Sequence, residues 1–400
     1  MNILYVSYNG AMEPLFQSQG IPYIMDARKS GYDFSILTFE SDKDVRIDDP
    51  LFLRMKDRLS GAGITWRHLR FHRKPAVIAK TYDLLRGIGV ALMLSIRSRP
   101  DAIHARGLFS ALVALPASFI IRRPLIFDTR SKLSEAYAIT GKWEKGGLAS
   151  RWISFLEDLC IKSAKAIVVE TSDHKAEIEK FLSGNNINKR IEVIPCCVDL
   201  ERFKNIKDVK KDEPGFTISY LGSLSGWYCL RETLAFFKSM KKALPESKMI
   251  FLTRDDPEGI LRDIKKIGLP EDAVKIFSSA PEAVPDHLAR SSVGIVFKYP
   301  NQRLSSFPVK IGEYLASGIP VIINKGMGDV EDFVLDNRVG VIIDGFDEDG
   351  FKKGVAAIVS LVKERDIKEK CLSAAKKLSA EIGAQKYIKI YEAINKGIAC

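Results

Sequence analysis

The sequence predicts an α/β protein built from two doubly wound domains, each around a parallel sheet. Three observations carry this. Short apolar runs alternate with helical stretches along all 400 residues. The alternation occurs twice, with a charged break between the halves. The length exceeds one ordinary hydrophobic core and suits two domains of roughly 200 residues each. A hydrophobic content of 46% with 28% charged residues is that of a globular protein.

In the first half, strands are predicted at Asn2–Ser7, Phe34–Thr38, near Ile64, Ala102–His104, Pro124–Phe127, Ala166–Glu170 and Glu192–Pro195. Between them the spacing predicts helices, among them Gln17–Lys29, Ala76–Arg97, Leu108–Ile121, Leu148–Ser163 and His174–Leu182. In the second half, predicted strands are Thr217–Leu221, Met249–Thr253, Val274–Phe277, Gly294–Phe297, Val321–Ile323 and Val339–Ile343. Their helices are Arg231–Ala243, Glu258–Ile267, Pro285–Arg290, Val309–Ala316, Gly328–Leu335 and Phe351–Lys363. Apolar strands separated by helices imply βαβ units and sheets buried on both faces. Lys204–Gly215 is charged, poor in large apolar groups and ends in Pro-Gly, so it reads as a linker. The expected domains are 1–203 and 216–382, with a last helix in 383–400 that returns to the first domain. Ligands of doubly wound sheets bind outside the carboxyl ends of the strands. The loops 8–20, 128–137, 222–228 and 299–310 are therefore expected to meet at an interdomain cleft.

Ser305 to Ile323 is the most informative segment: loop, short helix, tight turn, buried strand. Pro308 suits the first helical turn, and Ser305 and Ser306 are available to cap it. Ile311, Tyr314 and Leu315 share one face, and Gly318 stands where a left-handed residue ends a helix. Lys310 and Glu313 share another face near the helix N-terminus. Free N–H groups, helix polarity and a lysine there suit a phosphate, and a carboxylate one turn on can accept sugar hydroxyls. The plainer alternative is a surface Lys310–Glu313 pair worth about 0.3–0.5 kcal/mol.

Charge narrows the partners. The net charge is +11, and from Arg54 to Arg106 twelve Lys/Arg face three Asp/Glu. Such a block suits an anionic membrane surface, an acidic substrate or, more weakly, nucleic acid. No nucleic-acid recognition module is present, and no P-loop or G-x-G-x-x-G motif. The six cysteines include no C-x-x-C pair, which points to a reducing compartment and no structural zinc. The N-terminus lacks a basic n-region and a long apolar run, so no signal peptide is expected. Leu108–Ile121 is too short to span a bilayer, which takes about 18–20 residues. His104 reads as structural, and the acidic pairs Asp255-Asp256 and Asp347-Glu348-Asp349 read as helix caps.

Three segments, in order, resemble retaining glycosyltransferases of the family-4 type, which have the GT-B fold. Phe307-Pro-Val-Lys-Ile-Gly-Glu-Tyr-Leu-Ala-Ser-Gly-Ile-Pro-Val is similar to that family's donor-site helix, with Glu313 as the second Glu of its E-x7-E motif. Ile194-Pro-Cys-Cys-Val-Asp-Leu-Glu-Arg-Phe resembles the segment before its interdomain linker. Met12-Glu-Pro-Leu-Phe-Gln-Ser-Gln-Gly-Ile-Pro-Tyr resembles the opening of a bacterial subgroup linked to surface polysaccharides, and Tyr220-Leu-Gly-Ser-Leu-Ser-Gly-Trp-Tyr fits that subgroup too. The resemblance covers nearly the whole chain.

It implies two Rossmann-like domains facing a cleft, a nucleotide-diphosphate sugar donor of UDP or GDP type, no tightly bound cofactor and no protein-bound metal. It implies donor contacts from Gly222, Ser223, Arg254, Lys298, Arg303, Ser305, Ser306, Lys310 and Glu313. Acceptor contacts would come from Gly10, Gln17, Gly20, Asp128 and Arg130, with Asp128, Lys310 and Glu313 as the catalytic group. The chain departs from the family at two places. Ser305 stands where the first Glu of E-x7-E is expected, and Gly222-Ser223…Trp227 replaces the usual Gly-Arg…Lys. Arg254, Lys298, Arg303 and Lys310 are the cations left to neutralise a diphosphate. The expected activity is cytoplasmic transfer of a sugar, with retention, to a glycan acceptor that is lipid-linked at the inner membrane face. A nucleotide-sugar epimerase or hydrolase, and a non-catalytic binding protein, are the alternatives of the same fold.

Overall fold

The computed structural model describes residues 1–397 apart from 42–48, 73, 135–143, 145, 205, 207–214, 225–227 and 300–306. Most of the expected linker therefore lies outside the described residues, as do Trp227, Arg303, Ser305 and Ser306. The chain divides into two compact units, the first taking Met1–Pro195 and the stretch from Ala380 onward, the second Cys196 to Ser379.

The first unit is a seven-stranded sheet in the order β3-β2-β1-β4-β5-β6-β7. Its strands are β1 (Asn2–Ser7), β2 (Asp33–Ser41), β3 (Thr65–Phe71), β4 (Ala102–Arg106), β5 (Leu125–Arg130), β6 (Ala166–Val169) and β7 (Arg190–Val193), and every pairing is parallel. Ile3, Leu4, Tyr5 and Val6 are all buried, as expected when helices cover both faces of a sheet. Its helices up to β7 are α1 (Pro14–Gln19), α2 (Ile21–Lys29), α3 (Pro50–Gly61), α4 (Ala76–Ser98), α5 (Leu108–Ile121), α6 (Leu148–Ser163) and α7 (Ser172–Ser183).

Two of these differ from the sequence expectation. Helix α3 was not expected, yet Asp49 caps it by accepting the Leu51 N–H at 2.8 Å, and Pro50 begins it. Phe52, Met55 and Leu59 form its buried face. The run Gln17–Lys29 is two helices that meet at Gly20, whose missing Cβ makes room for the Phe16 ring.

The second unit is a six-stranded parallel sheet in the order β10-β9-β8-β11-β12-β13. It uses β8 (Thr217–Leu221), β9 (Lys248–Leu252), β10 (Val274–Phe277), β11 (Val293–Val296), β12 (Val321–Asn324) and β13 (Gly340–Ile343). The helices are α8 (Leu230–Ala243), α9 (Pro257–Ile267), α10 (Val284–Leu288), α11 (Val309–Ala316), α12 (Asp329–Asn337), α13 (Glu348–Val362) and α14 (Ile367–Lys377). Asp256 caps α9 and Asp347 caps α13, both as the acidic pairs suggested. Gly318 has φ +72°, the left-handed turn that releases the chain from α11 into β12.

The boundary between the units falls at 195/196 instead of 203. Val198 donates its N–H to the Leu378 carbonyl at 2.7 Å and packs against Gly312, so residues 196–203 join the second unit. Their 3₁₀ turn, Leu200–Phe203, is capped by Asp199. The last helix, α15 (Ala380–Asn395), belongs to the first unit and packs on α2. Its Tyr387 and Tyr391 lie against Tyr23, Tyr32 and Phe34.

The Tyr314 side chain ties helix α11 to the backbone of β8. The Tyr314 hydroxyl donates to the Ser219 carbonyl at 3.0 Å and accepts from the Leu221 N–H at 2.8 Å. Its ring lies over Gly294 of β11, where a Cβ would come within 2.3 Å of the ring. Gly294→Ala is expected to destabilise the protein by about 1–3 kcal/mol, the usual cost of overpacking. A urea midpoint equal to that of wild type would contradict this packing.

Candidate functional site

In the second unit the functional side chains gather where β8, β9 and β11 end and α11 begins. Pro308 is the N-cap of α11, with φ −66°, and among the described residues no side chain caps its amides. Pro308 was expected inside the first turn; it stands one place earlier. Lys310 follows in the first turn and is buried. Its Nζ donates to the Tyr220 hydroxyl at 3.2 Å and sits 3.6 Å from the centre of the Tyr228 ring and 4.3 Å from that of Tyr220. The ammonium thus meets a neutral hydroxyl and two aromatic faces in place of a carboxylate. Burial pulls its pKa down to about 7, and the nearby Lys298 adds to this against the pull of Glu313 and Asp255. Each aromatic contact returns only about 0.5–2 kcal/mol.

Gly222 brings backbone beside that ammonium. It has φ +95°, and a Cβ built on it would lie 3.5 Å from Lys310 Nζ. Ser223 does not face this point; its hydroxyl bonds both carboxylate oxygens of Asp255 at 3.1 Å. Asp255 also accepts the Leu224 N–H, so it braces the loop after β8. Asp255 was expected to be a cap, a role that belongs to Asp256 alone. Lys298 is buried just after β11. Asn324 clamps its backbone, accepting the Lys298 N–H at 2.8 Å and donating to its carbonyl at 2.9 Å. Arg254 is exposed beyond β9.

Glu313 is buried and does not form the surface pair with Lys310 that the spacing allowed. It pairs with Arg202 at 3.2 Å. Burial raises the Glu313 pKa, and the Arg202 guanidinium opposes this. Arg202 was not among the expected site residues. Its signal lay in the Val198-Asp-Leu-Glu-Arg-Phe run, whose turn carries it onto the face of α11.

The first unit holds a different cluster. Asp128 lies within β5 and is wholly buried. Its carboxylate accepts from Tyr387 at 2.8 Å and from Arg106 at 3.2 Å, and Arg130 stands 3.5 Å away. Despite burial, the Arg130 and Arg106 guanidiniums and the nearby His104 ring hold its pKa well below the usual carboxylate range. Asp128 is therefore an ionised anchor for two arginines, enclosed by protein. His104 is buried beside it, bonds Tyr391 at 2.7 Å and is kept neutral by burial, a structural role. Burial likewise pushes the Tyr5 hydroxyl up to about 12.

Gln17 was expected to contact an acceptor, and it is Gln19 that joins the arginines here. Its Oε1 accepts from Arg130 at 2.8 Å and from Arg106 at 3.2 Å. Gln17 instead donates to the Met12 carbonyl within its own loop. Gly10 is required because the Glu40 carboxylate fills the place of its Cβ. That carboxylate accepts the Ala11 and Met12 N–H groups at 2.6 and 3.2 Å, fixing the loop after β1. Neither Gly10 nor Gly20 approaches open space; both accommodate neighbouring side chains.

Residues 26–197 match a family described as a glycosyl transferase 4-like domain, and residues 294–391 match a glucosyltransferase 3-like C-terminal domain. Among proteins with curated descriptions, no sequence matches the chain. Among solved structures, sucrose-phosphate synthase from Thermosynechococcus elongatus is similar at a TM-score of 0.74 and 14% identity, over 99% of this chain and 100% of that one. HepE of Anabaena in complex with UDP is similar at 0.71 and 15% identity, over 98% of this chain and 100% of that one. A glycosyltransferase from Rickettsia africae follows at 0.67 and 14% identity, over 99% and 98%. At such identities the structures show the shared fold, two Rossmann-like parallel-sheet domains as the sequence predicts.

The Asp128 cluster makes a pH prediction. The folded pKa lies below the unfolded value of about 3.9. Its stabilisation is therefore present above about pH 4 and is lost as pH falls. Asp128→Asn should lower the melting temperature near neutral pH and flatten its fall with acid. An equally steep acid limb in melting scans would contradict the ionised-anchor reading.

Proposed function

We propose that the chain is a GT-B glycosyltransferase of the family-4-like type and that its second unit binds a nucleotide-diphosphate sugar of UDP or GDP type. One observation carries this reading. Buried Lys310 faces a hydroxyl and two aromatic rings and, among the described residues, no directly bonded carboxylate, in the first turn of α11 beside the Gly222 backbone. A helix start with such a lysine suits a diphosphate. Glu313, one turn on and steadied by Arg202, accepts the ribose hydroxyls. The named neighbour HepE is described in complex with UDP, which supports the donor class.

In the proposed reaction the bond between the anomeric carbon and the β-phosphate oxygen breaks. A bond from that carbon to the acceptor oxygen forms on the same face, giving retention. The acceptor proton goes to the departing diphosphate. Negative charge grows on the leaving group, so Lys310, Lys298 and the α11 amides stabilise the transition state more than the ground state. Asp128 does not touch this chemistry as a base. It orients Arg106 and Arg130, and Arg130 with Gln19 forms the polar edge offered to an acceptor. The transfer itself needs no covalent nucleophile. Arg254, Ser223, Arg303, Ser305 and Ser306 remain proposed donor contacts from the sequence resemblance.

We further place the enzyme in the cytoplasm at the inner membrane face, acting on a lipid-linked glycan in surface-polysaccharide synthesis. Among the described residues no helix is long and apolar enough to cross a membrane. Helix α5 is a core helix with Phe119 and Ile120 exposed at its end, and α4 buries Ala91 while Ile96 is exposed. Helices α4 and α6 both pack beside α5. On α6, Leu148, Trp152, Phe155 and Leu159 form an exposed stripe, with Leu148 81% and Trp152 64% exposed. On α4, Val77, Ile78, Tyr82 and Leu85 do the same. The α4 stripe lies within the basic block 54–106 and suits an anionic bilayer surface, and the α6 stripe, on a helix with Arg151 and Lys162 against Glu157 and Asp158, adds apolar contact.

Thermal shift against UDP, GDP, ADP, CMP and dTDP tests the donor site. One nucleoside diphosphate at about 100 times its Kd should add about 2.7 kcal/mol, and Glu313→Ala should abolish the shift. Because the bound diphosphate needs charged Lys310, whose own value is about 7, affinity should fall as pH rises from about 7 to 9. No shift with any nucleotide would sink the reading.

Flotation with phosphatidylglycerol vesicles at low salt should retain the wild type and blue-shift tryptophan emission. Trp152→Asp with Phe155→Asp should stay in solution. Equal retention of this variant would remove α6 from the membrane contact.

A further inference from the structure

The first unit contains a cavity of about 260 Å³ that neither the donor site nor the Asp128 cluster uses. It lies between the end of β5 and helices α6 and α7. Side chains alternate along a strand, so Phe127 and Thr129 line the cavity while Asp128 and Arg130 belong to the other face of the sheet. Three polar atoms at this cavity have no hydrogen-bond partner among the described residues: Thr129 Oγ1, His174 Nδ1 and Glu177 Oε2. Thr129 is 7% and His174 4% exposed, so bulk water does not satisfy them. Unpaired buried polar groups are uncommon and call for an occupant.

The chemistry of the lining limits that occupant. Glu157, Asp158 and Glu177 outnumber Lys132, and burial lowers the His174 pKa to about 4, leaving it neutral. An anionic ligand is disfavoured. A cation finds little free charge: Lys132 already pairs with Glu177, and the Glu157 carboxylate accepts the Leu133 N–H at 2.6 Å and the Ser134 hydroxyl at 2.9 Å. Of the buried polar atoms, one hydroxyl, one neutral imidazole nitrogen and one carboxylate oxygen stay unpartnered, with Asp158, Ser131 and Ser154 also on the lining, over an apolar floor that includes Phe127, Ile178 and Phe181. A few placed polar groups on an apolar wall fix the orientation of a small ligand. The volume is below the roughly 300–1,000 Å³ of pockets for drug-sized molecules, so it suits a single ring.

We propose that this cavity is a subsite for one neutral sugar ring. Thr129, His174 and Glu177 take three of its hydroxyls, and the apolar floor takes its C–H face. Naming that ring as part of the acceptor glycan rests on the transferase reading above; the site itself does not.

The test is saturation-transfer NMR on the full chain with methyl glucoside, methyl galactoside and methyl mannoside. At least one should bind, and Thr129→Val, which keeps the side-chain shape, should weaken it tenfold or more. Glu177→Gln, at a partly exposed position, should do the same and guards against a folding defect in the first variant. Neither change should alter the nucleotide thermal shift. Binding of no glycoside, as for a cavity that holds water only, would overturn the proposal. So would equal binding by wild type and both variants. Glycoside binding lost in the variants, in a protein that no nucleotide stabilises, would keep the subsite and discard the donor reading.

Discussion

A charge taken out of water must be paired or must shift its pKa, and each unit of this protein buries charge near the end of its sheet. The two units meet the constraint in opposite ways. In the first, Asp128 is surrounded by Arg106, Arg130 and Tyr387, and it stays ionised far below its usual range. In the second, Lys310 has a phenol and two ring faces, and its pKa falls toward neutrality. A satisfied charge holds a fold together. An unsatisfied one beside free helix amides is a place for an anion. This contrast separates the structural carboxylate from the lysine proposed to bind, although both stand near strand ends.

The same constraint explains Arg202. Glu313 is buried on α11 and needs a cation, but Lys310 points to the tyrosines. The guanidinium arrives from the 3₁₀ turn after Asp199, carried by a segment that bonds Leu378 through Val198. That segment joins the second unit because its backbone pairs there, which moves the unit boundary ahead of the charged linker. Asn324 and Asp255 act in a similar way at one remove, clamping Lys298 and the Gly222 loop. All three set the position of the groups around Lys310 and Glu313.

The sequence by itself determined the architecture. Parallel strands buried on both faces are written as short apolar runs, and the helices between them carry their own punctuation, as at Gly318 and Asp256. Lys310 and Glu313 were legible because the helix start, the lysine and the carboxylate are near neighbours in sequence. Helix α3 was missed although Asp49-Pro50 and the Phe52, Met55, Leu59 spacing signal it. Partnership was not legible. Whether Glu313 pairs with Lys310 or Arg202, whether Gln17 or Gln19 meets Arg130, and whether Asp128 faces solvent or three donors depend on contacts between distant segments. Tyr387 reaches Asp128 across 259 positions. Local pattern fixes which face of an element is apolar; only tertiary packing decides which polar groups share the space left inside, because desolvation and pairing act through distance and not through order along the chain.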